Sequence, residues 1–204
     1  MHHLRRHSRV ALVVALAAFV LLLAVPASAS AASQRLGKGN ASFTLNPIFA
    51  TLVGLGYPFY PVAPGTFKFS IATTPKVTMP ITGGVWNKAF ARGQFAMKGG
   101  LDYIHYTTGP LTLHQLAPTA WRANVNQTTG WTASTNGSRI VFLDEDLTNA
   151  HTTYPTIGGH KYVRVSNIAL NYDAMFLTAF FNTFGLNLGV TVPFGTGTVQ
   201  ALLK

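Results

Sequence analysis

Short runs in which apolar and polar residues alternate one for one recur along most of this chain, and a period of two points to strands. Thr66-Phe67-Lys68-Phe69-Ser70-Ile71 sets Phe67, Phe69 and Ile71 on one face. Gly93 to Met97 and Lys161 to Val165 alternate in the same way, and Val77 to Ile81 continues apolar up to Gly83-Gly84 and Val85-Trp86. Leu101 to Tyr106 and Leu111 to Leu116 flank Thr107-Thr108-Gly109-Pro110, which predicts a hairpin. Trp131 to Ala133 and Ser138 to Leu143 flank Asn136-Gly137, two residues that tolerate positive φ, which predicts another. One segment departs from this period. From Tyr172 to Phe184 the apolar residues Met175, Phe176, Ala179, Phe180 and Phe184 are spaced one, three and four apart, as in an amphipathic helix, and Gly185 closes it. Gly189 to Pro193 and Gly197 to Leu202 then predict a final strand. Many short strands with Gly and Pro turns argue a sandwich or a barrel. The reading taken is all-β: an antiparallel β-sandwich with one short C-terminal helix.

The first residues belong to a different pattern. Arg5, Arg6 and Arg9 precede an unbroken apolar run of 16 residues, Val10 to Val25, which ends at Pro26 before Ala27-Ser28-Ala29-Ser30-Ala31. A positive start, an apolar middle and a small-x-small site make a secretory signal, with cleavage expected after Ala29 and Ala31 as the alternative. An uncleaved anchor is the competing reading, but the run falls short of the ~20 residues that a spanning helix needs. The expected organisation is a signal peptide over 1–29, a flexible Ala/Ser/Gly-rich segment over 30–40, and a single β-sandwich domain over 41–204. The mature protein is expected to be secreted or at the cell surface, with no transmembrane segment.

Beyond the leader, twelve basic residues (Arg35 to Lys204) face five acids: Asp102, Asp144, Glu145, Asp146 and Asp173. The positive charge is spread, with no more than two basic residues adjacent, whereas a nucleic-acid binder shows a basic stripe. No nucleic-acid partner is therefore expected. Diffuse charge of this kind either keeps a protein soluble or attracts anionic cell-envelope components. The chain has no cysteine, which excludes disulfides, thiol chemistry and cysteine-zinc sites. Export permits disulfides, but a domain of this size is stable without them.

From Phe67 onward the order of features resembles the HtaA-like domain of actinobacterial surface haem-uptake proteins. The stretches that carry the resemblance begin with Phe67-x-Phe69-x-Ile71, Gly83-Gly84-x-Trp86 and Gly93-Gln94-Phe95-x-x-Lys98-Gly99-Gly100-Leu101. Leu111-x-Leu113-x-x-Leu116-x-Pro118, Leu143-Asp144 and Val165-x-Asn167-Ile168-Ala169-Leu170 follow, then Leu177-Thr178-Ala179-x-x-Asn182-x-Phe184-Gly185 near Gly195-Thr196-Gly197. The resemblance implies a β-sandwich layout and haem binding at the cell surface. Two departures stand against it: the family's opening block with its ligand tyrosine is not visible, and Lys98 stands where a histidine is usual.

Candidate contacts follow from the histidines and tyrosines. Tyr103 and His105 lie two apart and share a face of their strand, with Tyr106 and His114 close across the hairpin. A tyrosinate supported by a histidine is a reasonable ferric haem site, so haem is the cofactor to test. His151 and His160 bound the longest polar loop, residues 147–160, and His160 is the third candidate contact. Their spacing matches no metal pattern, and no metal site is expected. Asp144-Glu145-Asp146 lacks the alternation and glycine of a calcium loop and reads as a solvated turn. No Gly-x-Ser-x-Gly elbow is present, and Glu145 is the sole glutamate, so no catalytic residues are assigned and the protein is not expected to be an enzyme. Tyr57-Pro58-Phe59-Tyr60-Pro61 and the phenylalanines Phe176, Phe180, Phe181 and Phe184 either seal one end of the core or, if Phe181 reaches solvent, form an apolar patch. The leading expectation is a surface binding module. The alternative is a structural or adhesive cell-envelope protein with no small-molecule site.

Overall fold

In a computed structural model, residues 32–70, 73–106 and 113–204 are described. The expected leader, Ile71, and the expected turn from Thr107 to Pro110 lie outside them. Fourteen strands are described, β1 (Gln34–Leu45), β2 (Phe59–Val62), β3 (Thr66–Ser70), β4 (Thr73–Asn87), β5 (Arg92–Met97), β6 (Gly100–Tyr106) and β7 (Leu113–Leu116) among them. The rest are β8 (Thr119–Val125), β9 (Trp131–Thr135), β10 (Ser138–Asp146), β11 (His151–Thr153), β12 (Thr156–Ile157), β13 (His160–Tyr172) and β14 (Pro193–Leu203). Two short helices accompany them, α1 (Ile48–Gly54) and α2 (Ala174–Phe184).

The sandwich expectation is corrected. Eight antiparallel strands run in the order β8-β5-β4-β1-β14-β13-β10-β9, and β9 pairs back onto β8 through Thr119↔Ser134 and Arg122↔Thr132. The sheet is a closed barrel. Long strands allow this when they bend, and register breaks at Leu36/Gly39, Val141/Leu143 and Val165/Ile168 supply bulges that increase the local twist. A sandwich and a barrel share the same in-out alternation, so the local pattern does not separate them. Closure is a property of the distant β8–β9 pair.

The segment expected to be flexible up to residue 40 is also corrected. From Gln34 it is strand, and β1 sits between β4 and β14 in the barrel wall. Its glycines serve close packing: a Cβ on Gly39 would collide with the Gln200 carbonyl of β14. The Asn136-Gly137 hairpin is as expected, with both residues at positive φ and Thr135 opposite Ser138.

Eight strands enclose a lumen about wide enough for side chains alone. Phe43, Trp121, Trp131, Phe142 and Phe194 fill it, all at most 1% exposed. A ligand must therefore bind outside the barrel or at its ends.

One end is built up. β1 runs out through Leu45 into α1, and β13 runs out through Tyr172 into α2. Here β6 branches from β8 at Gly100↔Thr119 and carries β2 and β7 on its edges. In α2 the Asp173 side chain accepts from the Met175 N–H at 2.7 Å, and Gly185 ends the helix in the left-handed region at φ 71°. Phe176 and Phe180, four apart, are buried by it. The first helix has no counterpart in the sequence reading. Asn46 accepts from the Ile48 N–H at 3.1 Å, and Phe49 and Leu52, three apart, are buried. At seven residues it is too short to show a periodic pattern. Among the described residues no helix is long and apolar enough to cross a membrane.

Candidate functional site

Tyr103 is part of the core. It is fully buried, and its hydroxyl shares a 2.7 Å hydrogen bond with that of Tyr172 at the end of β13. Phe59, Phe176 and Phe180 surround its ring at 5.6–6.0 Å between centroids. Burial pushes the phenols of both tyrosines up, so neither presents a tyrosinate near neutral pH. Tyr103 has no open face for a ligand.

His105 lies two residues further along β6 and nearer the surface. Its Nδ1 lies 2.9 Å from the Gly56 carbonyl oxygen, and its ring stacks on Tyr57 at 4.3 Å and 18°. A carbonyl only accepts, so Nδ1 is the donor, and in the neutral imidazole it is Nε2 that keeps the lone pair. Metal-ligating histidines are commonly oriented this way, with the far ring N–H donating to a backbone carbonyl. Tyr57 in turn packs on Phe180 and Phe184, which ties the His105 ring to α2. Across the hairpin the backbone of His105 is opposite His114.

His160 lies elsewhere. It opens β13, while Tyr172, which touches Tyr103, closes it. Thirteen residues of strand separate the two ends by roughly 35 Å, too far for one small ligand to touch both. The structure thus brings Tyr103 and His105 to one end of the barrel and leaves His160, exposed, at the other. The polar loop around it contains two short strands: β11 pairs His151 with Ser166, and β12 pairs Ile157 with His160.

Leu55, beside Gly56, is 57% exposed. On α2, Met175 and Phe181 are about half exposed, and Phe181 lines a separate cleft with Leu177 and Val190. Phe181 therefore reaches solvent, the condition for an apolar patch. The segment whose Tyr57 stacks on His105 continues through Pro58, Phe59 and Tyr60 into an apolar groove of about 500 Å³, completed by Phe49, Val53 and Phe67. That partnership of Tyr57 and the Gly56 carbonyl with His105 is absent from the sequence reading. The aromatic loop was a signal, but nothing local connects it to a strand some fifty residues on.

The acidic triplet does not form a solvated turn. All three residues belong to β10. Glu145 accepts from the Asn126 N–H at 2.6 Å and from Trp131 Nε1 at 2.9 Å, fixing the β8–β9 connection. Burial raises its pKa, against the pull of those two hydrogen bonds. Asp144 is raised too, by desolvation first, then by the charge of Asp173 and a hydrogen bond to it. A carboxyl raised in the folded state favours folding below its unfolded pKa, and this contribution is lost as pH rises through the folded value. Asp144→Asn should therefore stabilise the protein at pH 7 and leave it unchanged near pH 3. The gain is under about 1 kcal/mol, because the pair is open to solvent. Thermal melts at the two pH values check this. Among the described residues no three His, Asp or Glu side chains are grouped to hold a metal ion.

No family model matches the chain, and no curated protein matches it in sequence. Among solved structures it is similar to the C-terminal domain of HtaA from Corynebacterium glutamicum, at 10% identity and a TM-score of 0.47. The similarity covers 84% of this chain and 99% of that domain. It is a likeness of layout and assigns no residue a role here.

Proposed function

We propose that this protein is a surface binding module, and that His105 is the iron-facing contact for haem. The observation that carries the reading is the His105 ring itself. It is stacked on Tyr57 and oriented through Nδ1 by the Gly56 carbonyl, which leaves Nε2 of the neutral ring as the nitrogen able to ligate. Haem, if bound, would supply an iron that takes an imidazole nitrogen as ligand, and His105 would be the residue that holds it. The protein's part is to hold that nitrogen in one tautomer and to offer the porphyrin an apolar, aromatic surface. Tyr103, the other residue of the expected pair, supports the site from beneath by packing on Phe180, which also contacts Tyr57.

Titration of the mature chain with haemin, followed at the Soret band, tests this. A saturable one-to-one shift is expected, weakened about tenfold or more in His105→Ala, a loss of at least ~1.4 kcal/mol. A shift unaffected by that change would reject His105 as the contact. Absence of a saturable shift would favour the second reading, an adhesive envelope protein. That reading draws on the apolar residues exposed at the same end, Leu55, Met175, Phe181 and the 94% exposed Val190.

A further inference from the structure

The barrel wall opposite in character to the apolar end is formed by β4, β1, β14 and β13. None of these four strands carries an acidic residue. Three outward polar side chains lie in register: Arg164 of β13 is opposite Gln200 of β14, and Gln200 is opposite Asn40 of β1, which faces Pro80 of β4. Beside this row lies a cavity of about 650 Å³, lined by Lys38, Asn40, Thr82, Lys98, Tyr162 and Gln200 among others.

Two features show how the cavity is built. The ladders break here: β1 slips register against β14 between Leu36 and Gly39, and β4 slips against β5 between Ile81 and Gly83. Bulges re-aim side chains, and the residues inside these two breaks include Lys38 and Thr82. The second feature is the pair of flanking turns. The Lys98 N–H donates to the Pro80 carbonyl at 3.0 Å, which sets that lysine at the cavity edge. From the other side, the β12–β13 hairpin brings in Ile157 and Tyr162.

The chemistry of this lining selects its ligand. Two ammonium groups, with no carboxylate on the surrounding strands, call for an anion. Asn40 and Gln200 present planar amides, each with donors and an acceptor; Tyr162 presents a hydroxyl, and Thr82, whose hydroxyl donates to the Ala96 carbonyl at 3.3 Å, presents an acceptor oxygen. Paired amides with one aromatic ring suit the vicinal hydroxyls and the apolar face of a sugar. A single-stranded nucleic acid calls for several exposed rings on which bases stack, and Tyr162 is the one ring among the described lining residues. We infer that this wall is a binding site for an acidic glycan, with Lys38 and Lys98 pairing its charged groups and Asn40 and Gln200 reading its hydroxyls. The inference is independent of the haem reading, which concerns the apolar end of the barrel and not this wall.

Calorimetric titration of the mature chain with an oligogalacturonate hexamer tests it, with a neutral maltohexaose and a single-stranded hexanucleotide alongside. The expected result is saturable binding of the oligogalacturonate, with both comparison ligands at least about tenfold weaker. Lys38→Ala/Lys98→Ala should lower that affinity about tenfold or more, and Asn40→Ala/Gln200→Ala should also lower it. Lys68→Ala/Lys76→Ala removes the same charge from exposed positions outside the cavity and should leave binding within about twofold. Equal loss in both lysine pairs would reduce the effect to net charge and overturn the site. Tighter binding of the hexanucleotide would overturn the ligand class, and no saturable binding of the acidic sugar would overturn the inference outright. Unchanged thermal midpoints in the variants exclude misfolding as the cause.

Discussion

Trp121→Ala is expected to destabilise the barrel by about 3–5 kcal/mol. Trp121 is 1% exposed and sits where the side chains from four strands meet. Its ring centroid lies 4.6 Å from Phe142, 5.4 Å from Phe43 and 5.9 Å from Phe194, and its Nε1 donates to the Pro118 carbonyl at 2.7 Å. Truncation removes the transfer term of a large ring and leaves a cavity. A closed barrel cannot collapse into that cavity without shifting strands hydrogen-bonded on both sides. The carbonyl of Pro118 also loses its indole partner. If the protein lies in the ordinary range of about 5–15 kcal/mol, the change removes a large part of its stability. Urea unfolding followed by the remaining tryptophans, Trp86 and Trp131, should show a much lower midpoint with an unchanged slope. A loss below about 1 kcal/mol would mean that the lumen is not packed as described.

Tyr103→Phe tests the other buried contact, and its informative form is a double substitution. The two hydroxyls of Tyr103 and Tyr172 are 2.7 Å apart, and both residues are buried. Removing one strands the other without water, at a cost of about 1–3 kcal/mol. Removing both restores the match, because two phenyl rings of nearly the same shape leave no orphan. Tyr103→Phe/Tyr172→Phe should therefore lie closer to the wild type than either single change. Additive losses in the double variant would mean that each hydroxyl has a partner of its own. The same series bears on the haem reading: Tyr103→Phe should leave a haemin shift intact, since that hydroxyl faces Tyr172.

Where the sequence was informative, the cause was local. Asn136-Gly137 needs nothing beyond two residues at positive φ, and α2 is marked at both ends, by Asp173 and by Gly185. Where it misled, the cause was distance along the chain or composition. The β8–β9 closure joins strands whose own alternation is identical in an open sandwich. The small residues Gly37 and Gly39 suggested flexibility, whereas Gly39 lets β1 pass close to β14. The candidate site was legible in direction and illegible in depth. Spacing put Tyr103 and His105 on one face, but only the packing of α2 onto that face decides that Tyr103 is sealed and His105 is not. His160 entered the same list because residue type carries no information about which end of a long strand it occupies.

The place of β1 also constrains how the chain acquires its shape. It lies between β4, soon after it, and β14, about 150 residues further on, so half of its ladder cannot form until almost the whole domain is available. Until then the growing sheet has two raw borders, one along β1 and one along β13, each with unpaired backbone groups. The last strand fills both gaps together, pairing with β1 on one side and β13 on the other. Assembly is therefore expected to be weighted to its final step: without β14 the sheet keeps two unpaired borders, and the ring becomes self-contained only when that strand is in place.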